Sequence, residues 1–370
     1  MPQGRRKALL LSVGYGQGHH SAARALAEEL ETRGWTTTMH DPCAETYPRL
    51  FRLTQRYYHF CVRKAPWLWG VTYALTDTAD WRRQVEGMLL RRCTAYVEEL
   101  LRRENPDAVL CTYPLFAYML DALTDSARVC VPYAVVVTDA IEISRPWMKT
   151  HAPLVCVTDE LSEAMVRERY ALTDDQVACT GFPVRSAFHR VAMVPRDVGG
   201  ASVRLLYAAY KDTRSVCREV RALLSEFPGM HVTLLGGERA DELRGEMAQE
   251  VGRRRVSIEA FSRDMPSLFA QHHIYVGKAG AATVFEAYAA GLPMIVNYSL
   301  PGQEQGNLQL VLHDRCGFYA ENTCALLAAI RGMMMNGWRC WHEIRRMMAA
   351  SSRSQGAPRI ADLIERRFFT

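Results

Sequence analysis

Hydrophobic positions fall into two alternating kinds of run. KALLLSV (7–13), DAVLCTY (107–113), YAVVVTD (133–139) and PLVCVTD (153–159) are continuously apolar, the pattern of parallel strands covered on both faces. Between them, SAARALAEELETRG (21–34) and CTAYVEELLRREN (93–105) carry the spacing of amphipathic helices. The alternation pauses at VAMVPRDVGGASV (191–203), a Pro/Gly-bearing stretch without period, and restarts with VRLLYAA (203–209), HVTLLGG (231–237), VSIEAF (256–261), HIYVGK (273–278) and LPMIVNY (292–298). The pattern predicts an α/β chain with two Rossmann-like parallel sheets facing across a cleft, with ligands at the carboxyl ends of the strands. The expected division is a first domain over 1–190, a linker over 191–202, a second domain over 203–348, and a helix over 349–370 crossing back to the first.

Composition leaves this picture intact. A chain of 370 residues suits two domains, and 49% hydrophobic with 23% charged residues is ordinary for a folded globular protein. A net charge of +5 is too mild to imply a nucleic-acid partner. Eleven cysteines without a CxxC pair read as reduced thiols, not as a disulfide frame or a zinc site, and imply a cytoplasmic setting. The six residues between Lys7 and Gly14 are too few for a signal-peptide core, and no apolar run reaches the roughly 18 residues of a spanning helix. Any membrane contact is therefore expected to be peripheral.

One stretch breaks the alternation. Residues 48–92 carry nine Arg/Lys against three acids, interleaved with Phe51, Tyr57, Tyr58, Phe60, Trp67, Trp69, Tyr73 and Trp81. Basic residues such as Arg63 and Lys64 beside Trp67 and Trp69 suit an insert lying on an anionic membrane surface. The alternative is a set of helices that pack their aromatics inward and solvate their arginines.

The first strand runs into GYGQGHHSAA, with Gly14, Gly16 and Gly18 on alternate positions and His19 and His20 where a helix begins. Bare backbone at a helix N-terminus can cradle an anion or a polar head. An imidazole there titrates near neutrality and can accept a proton from a hydroxyl. The glycines do not form GxGxxG, yet Asp41 falls about where a dinucleotide fold keeps its ribose-binding acid, so a nicotinamide-dependent oxidoreductase remains an alternative on this half alone. A tight turn with capping residues is the structural alternative.

The second half is more specific. In HIYVGKAGAATVFEAYAAGLPMIVNYSLPGQEQGN, a strand ends at Lys278, and a small-residue turn (Ala279, Gly280, Ala281, Ala282) opens a helix bearing Thr283 and Glu286. Small residues at that N-terminus let a diphosphate reach backbone donors. A carboxylate in an otherwise apolar helix needs a partner, and the paired hydroxyls of a ribose are one. After the next strand, PGQEQGN offers Gln303, Glu304 and Asn307, the amide and carboxylate groups that sugar hydroxyls require.

KAGAATVFEA, GLP and PGQEQGN together resemble the donor-site signature of the monogalactosyldiacylglycerol synthase and processive diacylglycerol glucosyltransferase family, inverting GT-B enzymes related to the peptidoglycan lipid II glycosyltransferase. SVGYGQGH with SAA, VVVTD with a following Trp, TGFPVRSAF (180–188) and the YYHF–KAPWLW stretch resemble further family elements, so the similarity covers nearly the whole chain. The resemblance implies His19 as the candidate base for the acceptor hydroxyl, with Asp139 near the reacting centre as the second candidate, and Gly16, Gly18, His20 and Trp147 on the acceptor side, Trp147 beside the acceptor or an anionic lipid. It implies Phe182, Phe261 and Met265 at the nucleotide base, Lys278 and Thr283 in the donor site, Gly280, Ala281 and Ala282 at the diphosphate, Glu286 at the ribose, and Gln303, Glu304 and Asn307 at the sugar.

The expected reaction moves a hexose from UDP-galactose or UDP-glucose to diacylglycerol, with no cofactor and no metal, by a chain peripherally associated with the membrane. Another lipid-linked acceptor, or nucleotide-sugar binding without turnover, are the alternatives. The sequence departs from the family pattern at LLYAAYKDTRS (205–215), which lacks the usual glycine-bearing loop, at Ser144, and at His272–His273. Lys211 or Arg214 could there supply charge in place of backbone donors.

Overall fold

The computed structural model describes the chain except residues 1–4, 80, 171, 195, 197, 199–202, 263 and 303. The chain forms two compact units, one of Met1–Arg185 with Ser352–Thr370, the other of Ser186–Ser351. Of the stretch expected as linker, residues 195, 197 and 199–202 lie outside the described residues. Val191 and Ala192 close the helix Ser186–Ala192 of the second unit. Arg196 is buried in that same unit, donating to the carbonyls of Gly291, Phe269 and Ala290, each at 3.0 Å.

In the first unit, β1 (Lys7–Leu11), β2 (Thr36–His40), β3 (Ala108–Cys111), β4 (Tyr133–Val136), β5 (Leu154–Val157) and β6 (Val177–Cys179) form one parallel sheet in the order β2-β1-β3-β4-β5-β6. Both faces are covered, which explains the continuous apolar runs. Leu9, Leu11, Val109, Val135 and Val155 join one core with Phe116 and Met119. Ala8, Leu10, Leu110, Ala134 and Leu154 join another with Leu26 of helix Gln17–Thr32 and Ile360 and Ile364 of helix Gly356–Phe369. The segment leading to this last helix crosses the chain closely. Gly356 donates its N–H to Phe182 O at 3.1 Å, and a Cβ at Gly356 would lie 2.6 Å from Pro183 N, so the crossing needs glycine.

The insert is helical, with Pro48–Lys64 and Pro66–Thr78 each opened by a proline whose missing N–H costs nothing in the first turn. Its aromatic side chains divide between buried and exposed. Phe51 is buried and Trp81 packs near Tyr113 and Tyr118, while Leu53, Phe60, Trp67, Val71 and Leu75 are between 50% and 69% exposed. No helix among the described residues is long and apolar enough to cross a membrane.

In the second unit, β7 (Val203–Ala208), β8 (Met230–Leu235), β9 (Val256–Glu259), β10 (Ile274–Lys278), β11 (Met294–Tyr298) and β12 (Gly317–Tyr319) form a second parallel sheet, in the order β12-β11-β10-β7-β8-β9. The carboxyl ends of β7, β10 and β11 are therefore neighbours, and the residues that follow them share one edge.

Candidate active site

At the carboxyl edge of the first sheet, Gly16 caps helix Gln17–Thr32 with extended backbone, φ −155°, and His19 enters in the first turn. His19 Nδ1 lies 2.8 Å from Thr112 O and 2.9 Å from Thr138 Oγ1. A carbonyl oxygen only accepts, so Nδ1 carries the proton and donates to it, and in the neutral ring Nε2 holds the lone pair. Burial pushes the His19 pKa down to about 4, which keeps the ring neutral at pH 7. Tyr113 packs edge-on to His19 at 5.2 Å between centroids, and Trp147 lies at 6.2 Å.

Asp139, after β4, accepts from Trp147 Nε1 at 2.8 Å. Trp147 is 1% exposed, so it stands behind Asp139 and meets no lipid through open surface, contrary to the expected acceptor-side contact. His20 Nδ1 is 2.8 Å from Ser12 Oγ, and burial lowers its pKa. Gly18 has open space where a Cβ would lie. The glycine loop is a poorer anion cradle than its sequence suggested, because the Gly14 N–H donates to Asp41 Oδ2 at 2.9 Å. Asp41 Oδ1 in turn accepts from Ala44 N at 2.9 Å, capping the helix Pro42–Thr46. Both oxygens of Asp41 thus serve backbone donors and hold the glycine loop to the helix Pro42–Thr46.

At the carboxyl edge of the second sheet, Lys278 Nζ pairs with Glu304 Oε1, and Glu304 Oε2 accepts from Leu300 N at 3.1 Å. Lys278 Nζ also sits 5.3 Å from the centroid of Tyr210, whose ring is nearly parallel to Tyr298 at 6.3 Å. Gly280 caps helix Ala281–Ala290, which begins Ala281, Ala282, Thr283; Ala282 is buried, and Thr283 and Glu286 are half-buried. Asn307 donates Nδ2 to Ala279 O at 3.0 Å, tying the helix Gln305–His313 to that turn. Gln303 lies outside the described residues. Phe261 is 78% exposed, its Cζ 3.9 Å from where a Gly237 Cβ would be, and Met265 opens helix Met265–Gln271.

Phe182, expected at the nucleotide base, is fully buried, with its N–H bound to Arg353 O at 2.7 Å, so its ring offers no open face to a base. Lys211 is bound to Glu219 at 2.6 Å; Glu219 also accepts from Tyr207 OH at 2.6 Å and Asn297 Nδ2 at 3.0 Å, while Arg214 is exposed. His272 bridges Leu268 O (2.6 Å) and Thr233 Oγ1 (2.8 Å), a structural role, and burial lowers its pKa to about 4. Reading the sequence missed Thr112, Thr138, Tyr210 and Tyr298; the hydroxyls and rings follow strand ends, the signal that could have found them. Among the described residues, no group of three or more His, Cys, Asp or Glu side chains is placed to hold a metal.

Comparison with known proteins bears on the fold and the class of the chain. Residues 19–184 match the model of monogalactosyldiacylglycerol synthase, and residues 212–364 match the glycosyltransferase family 28 C-terminal domain. The probable monogalactosyldiacylglycerol synthase 2, chloroplastic, of Oryza sativa subsp. japonica is 26% identical over 351 residues, covering 87% of this chain and 73% of that protein. The processive diacylglycerol beta-glucosyltransferase of Staphylococcus carnosus (strain TM300) is 22% identical over 331 residues, covering 86% and 82%. The crystal structure of Acinetobacter baumannii MurG superposes with a TM-score of 0.61 at 12% identity, over 98% of this chain and 99% of that one. The fold is GT-B, and its domains are those of glycosyltransferases. Within that class, residues 19–184 match the monogalactosyldiacylglycerol synthase model, and the chain is similar to monogalactosyldiacylglycerol synthases and processive diacylglycerol glucosyltransferases.

Proposed function

We propose that this chain transfers a hexose from UDP-galactose or UDP-glucose to the hydroxyl of diacylglycerol, with inversion at the anomeric carbon and without a metal, at an anionic membrane surface. The observation that carries the reading is the second-unit edge, where Lys278, the Gly280 cap and the buried Glu304 stand together. A cation and a helix N-terminus suit a diphosphate, and Glu304 with Glu286 suit sugar and ribose hydroxyls. The names of the relatives support a lipid acceptor.

In this reading the acceptor oxygen attacks the anomeric carbon as the bond from that carbon to the diphosphate oxygen breaks. The hydroxyl proton passes to the lone pair on His19 Nε2, and the charge growing on UDP is met by Lys278 and backbone N–H groups. The exposed basic and aromatic insert supports delivery of the lipid from a bilayer surface. Incubation with each UDP-sugar and diacylglycerol vesicles, with and without chelator, tests the reading: a glycolipid of inverted configuration is expected, and its absence with both sugars would sink it. Binding without turnover is the second reading, favoured by Lys211 being engaged by Glu219 where a free cation could have met phosphate. UDP binding without product would select it.

A further inference from the structure

A tyrosine near the end of β10 takes no part in the transfer as proposed. Tyr275 is 2% exposed, with its ring 6.0 Å from that of Phe269. The side chain lies over Gly277, two residues on along the same face of the strand. A Cβ at Gly277 would stand 2.7 Å from Tyr275 Cζ and would overlap its hydroxyl oxygen. Glycine at 277 therefore opens the path by which the ring reaches the strand end. There the hydroxyl comes within electrostatic range of Tyr210, Lys278, Glu304 and Glu286.

Buried tyrosine hydroxyls ordinarily find a hydrogen-bond partner. This one has none among the described residues. Asn307 Oδ1 is a sealed acceptor without a partner, whereas the Tyr275 oxygen is not among the sealed orphan atoms, so the sliver of Tyr275 that stays open includes its hydroxyl. A donor and an acceptor thus stand unanswered around the turn from Gly277 to Gly280.

We propose that Tyr275 is a further donor-site residue, its hydroxyl hydrogen-bonding to the diphosphate of the nucleotide-sugar in a space that Gly277 leaves open. The inference rests on the donor reading given above. Burial holds the phenol well above its ordinary pKa, so it remains an O–H donor at any working pH. Beside the Lys278 cation and the start of the helix Ala281–Ala290, the complementary ligand group is an anion, and an O–H bond to a charged oxygen is the stronger kind. The sugar and ribose hydroxyls already have Glu304 and Glu286 to meet them.

Tyr275→Phe removes the oxygen and keeps the ring. Calorimetry with UDP should show about tenfold weaker binding, the effect of one lost bond to a charged group. The unfolding midpoint should not fall, and uridine, which lacks the diphosphate, should bind both proteins alike. Equal UDP affinity in the two proteins overturns the inference and leaves the donor reading standing. A parallel loss for UDP and uridine also overturns it, because the hydroxyl would then act through structure alone. Failure of the unaltered protein to bind UDP overturns both.

Discussion

The indole nitrogen of Trp147 donates to Asp139 Oδ2 across 2.8 Å, and the two side chains are 1% and 8% exposed. A carboxylate so buried depends on every donor that meets it. Trp147→Phe keeps an aromatic ring but withdraws the donor, and should cost about 1–3 kcal/mol of stability, read as a lower urea midpoint at unchanged slope. Asp139→Asn should cost less stability, since the amide oxygen still accepts, while transfer slows if the charge matters to the reacting centre. Equal urea midpoints for Trp147→Phe and the unaltered protein would remove Trp147 as the anchor of Asp139.

His19 owes its orientation to Thr112 O and Thr138, not to Asp139. Its pKa near 4 places the acid limb of kcat/KM well below pH 6.5, because the base stays unprotonated until the pH nears 4. His19→Gln should reduce kcat by about 100-fold or more while leaving UDP binding intact, as expected of a lost general base. The linked effect on stability has a definite sign. His19 and His272, both lowered to about 4, bind fewer protons folded than unfolded between that value and about 6.5. Stability is therefore fully present above pH 6.5 and falls as the pH drops toward 4. Denaturant titrations at pH 7 and pH 5 should show this loss, reduced in His272→Gln if its amide keeps the Leu268 and Thr233 bonds.

Much of this architecture is written in the apolar runs, because a strand buried on both faces must be continuously hydrophobic, as Leu9, Leu10 and Leu11 are. The strands that escaped notice are at sheet edges. β2 reads TTTMH and is mostly half-exposed, and β6 and β12 have three residues each. An edge strand faces fewer neighbours and leaves a weaker pattern. That Lys278, Gly280 and Glu304 share one sheet edge was legible in KAGAAT and PGQE, because small residues and acids at a strand end are unusual. Phe182 lies apart from its expected place because a motif gives residue types and not exposure, and its side chain is fully buried. The Lys278–Glu304 pair spans 26 positions, and no local spacing announces it.

That pair predicts strong coupling. Both side chains are largely buried, 16% and 4% exposed, so removing one leaves the other without its opposite charge. Lys278→Met and Glu304→Gln should each destabilise by about 3 kcal/mol or more, whereas the double variant should recover much of the loss. In UDP titrations Lys278→Met should weaken binding more than Glu304→Gln, since the proposed function gives the cation to the diphosphate and the carboxylate to the sugar. Additive stability losses in the double variant would show that the pair is not energetically coupled.

The exposed side of the insert gives the last prediction. Trp67, Phe60, Leu53, Val71 and Leu75 stand open on the helices Pro48–Lys64 and Pro66–Thr78, and Arg63 and Lys64 are exposed at the end of the first. Apolar surface of this kind favours association, and the flanking cations select an anionic partner. The two contributions separate by their response to salt. Reversing both charges, Arg63→Glu with Lys64→Glu, should weaken sedimentation with anionic vesicles by about tenfold or more at low salt, at about 1 kcal/mol for each basic residue at such a surface, and by less as salt is raised. Trp67→Ser should weaken vesicle binding by a factor that changes little with salt, because it removes apolar area. Neither change touches the donor edge, so UDP affinity should hold in both. Unaltered vesicle binding in the charge-reversed and Trp67 variants would return the insert to an ordinary solvated face and withdraw its support from the proposed delivery of the lipid.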